Sequence, residues 1–456
     1  MGNAPMCVGV KYGIGMERSW RAKLSPLFGW FHHRPTARTT LSSIDMRRSD
    51  LIPKGSKLNE HWEQRLEDMI VGGGVRIGMG LAVCIVIGAG LMRERVLVAL
   101  GGMAALCVVA APTDLDYTRL ASGANVYFQP QHWGRVIDHA ESADGGLTSV
   151  HVTLQDGGTT MKTLTTNGKF QGNDSGEVEA QIGFALVPLA ENPRRNDALV
   201  IGYGTGTTAN TLKHAGFRQI DVVDLSRDVI RLANAHFAHL NERVTEAPGV
   251  RLHIADGRNY LLLQHRQYDL ITVELTSIWF AGAAASYNRE FYQLARQRLR
   301  PGGVLQQWVQ LHHLSGQDLL ALLASVRSEF ADVKVFHFGG QGMIVARNGG
   351  AAPMAVGMGR PQDEPAIRAY SERILGHPLD DGPERLLDAQ GVDNFLSHWG
   401  NAEDWASTDD NMVLEYSTPK GNVLDGVRSY KENVTLMKAF GKAPVKRQDE
   451  QEGGRH

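Results

Sequence analysis

The stretch Ala198-Leu-Val-Ile-Gly-Tyr-Gly-Thr-Gly-Thr207 decides the fold of this chain. Residues 198–201 are an apolar run that reads as a buried parallel strand. Gly202, Gly204 and Gly206 then form a tight turn into a helix over 208–215. Glycine is needed where a ligand must approach the backbone closely, because side chains would block it. Three apolar runs follow, each closing on a carboxylate: Ile220-Asp-Val-Val-Asp224, Val250-Arg-Leu-His-Ile-Ala-Asp256 with Gly257 behind it, and Tyr268-Asp-Leu-Ile-Thr-Val-Glu274. In an open parallel sheet, ligands sit outside the carboxyl ends of the strands. The glycine turn, Asp224, Asp256 and Glu274 are therefore expected to line one crevice, of a kind that suits a nucleoside.

Working outward, strands near 198–202, 219–224, 250–255, 268–274, 303–309 and 342–346 alternate with helical stretches such as 227–240, 289–299 and 316–330. That alternation predicts a doubly wound α/β domain over 193–348. Arg300-Pro-Gly-Gly303 reads as a turn into a late strand. Ahead of it, 120–192 is expected to be a small antiparallel β-domain. Its strands begin at Leu147 and Thr159, with turns at Gln155-Asp-Gly-Gly158 and Asn167-Gly168. Residues 178–189 read as an amphipathic helix ending near Pro193. Residues 349–456 form a linker, a helix-and-loop extension containing Ser407-Thr-Asp-Asp-Asn-Met-Val-Leu-Glu-Tyr416, and a polar tail.

The amino-terminal part is different in kind. Residues 1–76 are a basic tail, with Arg18, Arg21, Lys23, Arg34, Arg38, Arg47, Arg48, Lys54 and Lys57, and Met16 and Met46 stand as alternative starts. Residues 77–112 hold two apolar runs separated by Arg93-Glu-Arg95. Each run makes roughly 24 Å of helix against a hydrocarbon core of about 30 Å, short for a span. Their all-round apolarity and Gly/Ala density suit a transmembrane helical hairpin; a pair of buried soluble helices is the alternative. The basic tail places both ends of such a hairpin in the cytoplasm, although the arginines of its turn weaken that orientation.

The whole chain of 456 residues has a net charge of −2, with 43% hydrophobic and 21% charged residues. This is ordinary globular composition and offers no electrostatic case for a nucleic-acid partner. Cys7, Cys84 and Cys107 all precede the α/β region, which therefore has no disulfide, thiolate metal site or cysteine nucleophile. No metal site is expected.

The crevice residues have distinct expected roles. Asp224 accepts from ribose hydroxyls, or serves a helix N-terminus. Asp256, followed by Gly257, accepts from an adenine amino group, or simply shapes a turn. Glu274 stabilises a cationic donor or takes a proton from an attacking amine, or caps the next turn. The Gly/Ala-rich stretch 275–288 with Trp279, Phe280 and Tyr287 is a candidate lid, and His312 and His313 are weaker candidates for the acceptor side.

These motifs resemble the spermidine/spermine synthase (polyamine aminopropyltransferase) family, most closely its bacterial, membrane-fused branch. The resemblance covers about 140–348 and rests on Val200-Ile-Gly-Tyr-Gly-Thr-Gly206, Val222-Val-Asp224, Ala255-Asp-Gly-Arg-Asn-Tyr-Leu261, Glu274 with Trp279-Phe-Ala-Gly282, Glu290-Phe-Tyr292, Leu299-Arg-Pro-Gly-Gly-Val304 and Gln307-Trp-Val-Gln-Leu311; Thr408–Tyr416 matches a late motif of the fused branch. It implies a Rossmann-like S-adenosylmethionine-dependent methyltransferase fold behind a small β-domain. It also implies transfer of an aminopropyl group from decarboxylated S-adenosylmethionine to a small-molecule amine acceptor, in the family a diamine, with release of methylthioadenosine. That donor is a co-substrate; no cofactor is expected to be held permanently. The resemblance further places Gln171, Gln181, Ser277 and Trp279 at the acceptor.

Departures accompany the matches. The family carries an aspartate in the glycine turn where this chain has Thr205, and an Asp-x-x-Asp pair where it has Glu274 and Ser277. The family tyrosine before the second glutamine is Ala180. Thr205 is expected to offer its hydroxyl to either donor. Three readings stay open: an aminopropyltransferase, a transferase using intact S-adenosylmethionine (methyl or aminocarboxypropyl), and a catalytically degenerate nucleoside-binding membrane protein. Location at a bacterial inner membrane with the catalytic domain cytoplasmic, or soluble in the cytoplasm, both remain, as does a homodimer.

Overall fold

The computed structural model describes residues 102, 115–142, 146–155, 157–274, 278, 282–349, 360–379, 382–417 and 424–441. The chain divides into two units, Met1–Ala111 and Pro112–His456, and every element below belongs to the second. The basic tail, the apolar runs of 77–112 apart from Gly102, Ser277, Trp279 and the polar tail lie outside the described residues. Among the described residues no helix is long and apolar enough to cross a membrane.

Strands β1 (Arg135–Ser142), β2 (Gly146–Leu154), β3 (Thr160–Thr166) and β4 (Lys169–Asn173) form a four-stranded antiparallel sheet in sequence order. Its tightest turn is Asn167-Gly168. Both residues have positive φ, 52° and 75°, which suits the right-handed twist of a two-residue hairpin. The sequence reading located β2 and β3 but not β1 or β4.

Helix α1 (Val178–Glu191) follows. It was expected to be amphipathic, and it is not. It is buried on nearly every side, from Val178 and Ala180 through Leu189. It lies between the main sheet and the helices α2 (Thr207–His214) and Pro365–Leu375, so no face is left for water. A helix apolar all round is a buried helix.

The main sheet has eight strands, β5 (Asp197–Ile201), β6 (Gln219–Asp224), β7 (Val250–Ile254), β8 (Tyr268–Val273), β9 (Leu299–Val309), β10 (Asp332–Phe338), β11 (Gln341–Arg347) and β12 (Glu384–Leu387). Their order is β12-β10-β11-β9-β8-β5-β6-β7. The stretch from β9 to β7 is parallel, and β11, β10 and β12 close the other end antiparallel. Residues 300–303 bulge out of β9: its register against β8 jumps from Tyr268↔Leu299 to Leu270↔Val304. The expected turn at Arg300-Pro-Gly-Gly303 is thus a bulge inside a longer strand. It is held because Asn348 and the backbone of Gly302 and Gly303 hydrogen-bond at 2.8 and 2.9 Å.

Alternation sorts the strand residues onto two faces. Ala198, Val200, Leu270, Val304, Met343 and Val345 pack with α1, α2 and α3 (Arg227–His236). Ile201, Ile271, Val273, Leu305, Ile344 and Ala346 pack with α4 (Gly257–Leu263), α5 (Arg289–Arg298), α6 (Gly316–Arg327) and the carboxy-terminal helices Ala389–His398 and Gly426–Gly441. The carboxy-terminal extension is therefore built into the main sheet. It supplies an edge strand, β12, and part of one covering layer. A chain cut after residue 349 would uncover β10 and the apolar side of α6. Such a truncated chain is expected to precipitate where the full chain does not, read by the soluble fraction after expression.

The carboxylates at the opposite end of these strands are structural. Asp269 is fully buried and faces Arg300 at 3.1 Å; Asp197 pairs with Arg266 and Arg300; Asp221 pairs with Arg251 at 2.8 Å and takes the Tyr268 hydroxyl at 2.9 Å. Arginine and tyrosine partners consume those charges. The acids at the carboxyl ends have different surroundings.

Candidate active site

The parallel ladder continues one residue past its strands. Ala255 N–H donates to the Asp224 carbonyl (3.0 Å), Gly202 N–H to Val223 (2.9 Å) and Glu274 N–H to Ile201 (2.9 Å). Asp224, the glycine turn and Glu274 are thereby locked side by side at the carboxyl edge, as the sequence predicted.

The turn requires its glycines. Gly202, Gly204 and Gly206 have φ of 90°, 52° and 83°. A Cβ on Gly206 would lie 2.5 Å from Tyr203 Cζ and 2.7 Å from Asn241 Cβ. Gly206→Ala is expected to cost about 1–3 kcal/mol through strained φ and overpacking. A denaturation curve reads this, and an unchanged midpoint would contradict the packing. Gly257 is glycine for a related reason: a Cβ there would sit 2.3 Å from Ile201 Cγ2, where α4 meets β5.

Asp224 shapes this turn before any ligand arrives. One carboxylate oxygen accepts from Tyr203 N–H and the other from Ser226 N–H, each at 2.8 Å. Burial pushes its carboxyl up from the usual range, and those two N–H groups pull against the shift. Each oxygen keeps a further lone pair for a ligand hydroxyl. Leu225, next in sequence, is 58% exposed and gives the same strand end an apolar surface. Asp256 is exposed and caps α4, accepting from Asn259 N–H at 2.8 Å. Its capping leaves the second oxygen open.

The β-domain lies over the turn. A Cβ on Gly204 would be 3.3 Å from the Gln171 carbonyl, and one on Gly172 would be 2.9 Å from both Gln181 Nε2 and Thr205 Cγ2. Gln171 touches the turn through its backbone, and its side chain has no hydrogen-bond partner among the described residues. Thr205 is 1% exposed; its hydroxyl donates to Gln181 Oε1 at 2.7 Å and shares a 2.9 Å bond with Thr207. The expectation that Thr205 offers its hydroxyl to a donor is corrected here, because Gln181 already holds it. Gln181, 8% exposed, is likewise held beneath the turn and supports its shape. Ala180 is fully buried with its backbone and Cβ against Gly339, so the position of the family tyrosine is closed by the β10–β11 hairpin.

Glu274 is the chemically poised group. Its Oε1 is buried with no hydrogen-bond partner among the described residues. Burial pushes its carboxyl up to about 8, with the nearby Thr208 hydroxyl opposing the shift. A lone buried carboxyl of this kind exchanges a proton near neutral pH and stabilises an adjacent cation once ionised.

Beyond Glu274 the same face carries a polar relay. One residue past the register pair Val273↔Gln307 come Glu274 and Trp308. Thr272 and Gln306, two residues earlier, hydrogen-bond to each other, which confirms the shared face. Trp308 Nε1 donates to Gln341 Oε1 at 2.9 Å, and Gln341 Nε2 donates to both oxygens of Glu177 at 3.3 and 3.4 Å. The sequence reading passed over Leu225, Glu177 and Gln341. Only the side-by-side placement of β8, β9 and β11 connects the last two to the crevice.

Two weaker expectations resolve differently. Tyr287 is 2% exposed, Gly282 N–H donates to Glu415 Oε1 (2.9 Å), and Asn288 is tied to Ser407 (2.7 Å) and Asp409 (3.1 Å). The second half of the candidate lid, 282–288, is therefore packed and pinned by the carboxy-terminal extension. His313 is held by Leu424 O (2.9 Å) and Ser429 Oγ (2.8 Å), while burial pulls His312 down to about 4 and keeps it neutral. His312 is thus a weak base, and His313 is tied to the carboxy-terminal extension.

A glycine turn and strand-end acids on a doubly wound sheet define a Rossmann-like fold. Residues 182–338 match the family model described as spermine/spermidine synthase domain. The chain is 30% identical over 176 residues to a polyamine aminopropyltransferase of Nitrosomonas europaea, covering 38% of this chain and 54% of that one. It is 35% identical over 146 residues to polyamine aminopropyltransferase 2 of Pseudomonas aeruginosa, covering 31% and 41%. It thus spans about half the length of these curated relatives. The solved spermidine synthase from Thermotoga maritima aligns over 48% of this chain and 75% of its own, at 18% identity and a TM-score of 0.42.

Proposed function

We propose that this chain is an aminopropyltransferase that uses decarboxylated S-adenosylmethionine and a small amine. The observation that carries the reading is Glu274, a buried carboxyl without a hydrogen-bond partner on Oε1, beside the glycine turn and Asp224. Asp224 holds the ribose hydroxyls, Leu225 offers an apolar face to the purine, and the free oxygen of Asp256 takes the adenine amino group. The amine nitrogen attacks the methylene carbon next to the sulfonium. The carbon–sulfur bond breaks, its electron pair stays on sulfur, and neutral methylthioadenosine leaves. Glu274 accepts the proton that the amine gives up. Its ionised form also faces the sulfonium, and that cation favours ionisation of a carboxyl otherwise held neutral.

The direct test is the nucleoside product. Incubation with decarboxylated S-adenosylmethionine and an amine is expected to release methylthioadenosine, identified by mass spectrometry. Release of S-adenosylhomocysteine from the intact compound would replace this reading with methyl transfer. The turn carries no charge at Thr205, so discrimination against the donor carboxylate is expected to be weak. Competition binding should show intact and decarboxylated donors within about tenfold of each other, roughly 1.4 kcal/mol. The apolar runs of 77–112 and the basic tail ahead of them support a membrane-associated protein. Full-length chain is expected to sediment with membranes, and its recovery in the supernatant without detergent would reject that part of the proposal.

A further inference from the structure

We infer that Asp409, from the carboxy-terminal extension, is a positioning residue for the nucleoside. It draws Arg258 away from Asp256 and so keeps the Asp256 carboxylate open to the adenine amino group. This rests on the nucleoside reading above and adds to it a residue outside the sheet and its strand ends. Three observations carry the inference.

Arg258 stands two residues after Asp256 at the start of α4. The Asp256 carboxylate spends one oxygen on Asn259 N–H at 2.8 Å. A guanidinium on the same first helical turn is a natural competitor for the other oxygen, because its forked N–H groups match a carboxylate. The charge of Asp256 is felt at Arg258. Yet among the described residues Arg258 gives Asp256 no hydrogen bond. Its guanidinium forks onto Asp409 instead: Nη1 donates to Oδ1 at 2.8 Å and Nη2 to Oδ2. Nη1 also donates to the Ala285 carbonyl at 3.0 Å.

Second, Asp409 is itself held in place. Asn288 Nδ2 donates to its Oδ1 at 3.1 Å, and its own N–H donates to Glu290 Oε2 at 2.9 Å. The turn around it is tied reciprocally: Thr408 N–H donates to Asn411 Oδ1 at 2.9 Å, and Asn411 N–H to Thr408 Oγ1 at 3.2 Å. Ser407, fully buried, donates to Asn288 Oδ1 at 2.7 Å. The Arg258 guanidinium holds the Asp409 carboxyl below its usual range, so the pair is ionised at neutral pH.

Third, the pair fixes geometry more than it adds stability. The Arg258 and Asp409 side chains are 23% and 41% exposed. An ion pair this open to water contributes little to folding. Its fork nonetheless sets the direction of the guanidinium. Once Asp409 loses its charge, the carboxylate left for Arg258 to turn to is Asp256, two residues away. The extension thus acts on the nucleoside side of the crevice from 151 positions along the chain.

The experiment is calorimetric titration of full-length protein with methylthioadenosine and with its analogue carrying hydrogen in place of the 6-amino group. Asp409→Asn keeps the size of the side chain and removes its charge. It should weaken methylthioadenosine at least about fivefold and the analogue less than about twofold. Adding Arg258→Gln to that variant removes the competitor and should restore methylthioadenosine to within about twofold of wild type. A merely structural role would not be rescued this way, because the double variant lacks both halves of the pair. Thermal midpoints of the three proteins should lie close together. Binding of the analogue shows that each variant is folded. Equal losses on both ligands, no loss in Asp409→Asn, a double variant as weak as the single one, or a wild type indifferent to the amino group would each overturn the positioning role and leave the nucleoside site standing. A wild type that binds neither ligand would overturn the nucleoside reading itself.

Discussion

Glu274→Gln is expected to lower turnover by about 10²–10⁴-fold, the range for a positioned acid–base group, with methylthioadenosine affinity nearly unchanged. The amide keeps the size of the side chain but can neither take a proton nor face a sulfonium with charge. Wild-type activity on the amine should rise with pH and level off above about 8, where the carboxyl of the free protein ionises. Stability should move the opposite way. The folded-state value of about 8 exceeds the reference value of 4.5, so the folded protein binds more protons between these limits. The wild type therefore loses stability as pH rises from about 4.5 to about 8, and Glu274→Gln does not. Thermal melts of both proteins across that window give the comparison. A mutant with full turnover, or parallel melting curves, would remove Glu274 from the chemistry.

Asp224→Ala should weaken methylthioadenosine binding by about 1.5–3 kcal/mol, or roughly 10- to 150-fold, the range for hydrogen bonds to a charged group. The structure adds a second component. The alanine leaves the N–H groups of Tyr203 and Ser226 without their 2.8 Å acceptors, so the turn itself loosens. Asp224→Asn should be almost as damaging. Its single oxygen can serve one of the two N–H groups, and its NH2 then points at the other. Calorimetry on both variants tests this. If asparagine retained wild-type affinity, the carboxylate would not be organising the turn, and unchanged affinity in both would move the nucleoside out of this crevice.

The sequence carried the fold of the central domain because the signals there are local and periodic. Apolar runs that end in Asp224, Asp256 and Glu274 read as parallel strands, and such strands bring their carboxyl ends together whatever covers the sheet. The glycine turn was legible for the same reason: its φ values are set within a few residues. β10 alternates as Asp-Val-Lys-Val-Phe-His-Phe and was readable but passed over. β12 has only four residues and exists because β10 offers it an edge, which no local pattern announces.

The site was legible only as a list of backbone positions; the partners of its side chains were decided by tertiary structure. Thr205 looked like a group facing the donor, and it is spent on Gln181 because β4 covers the turn. Helix α1 looked half exposed and is enclosed because α2 and a helix from the carboxy-terminal extension close over it. Trp308 and Gln341 meet because β9 and β11 are neighbours, and Glu177, 164 positions before Gln341, joins them from the start of α1. The sequence by itself determined which carboxylates stand at strand ends, since that depends on backbone periodicity. Which of them keep a free charge depends on whether an arginine, an N–H group or empty space faces them, and only packing between distant segments decides that.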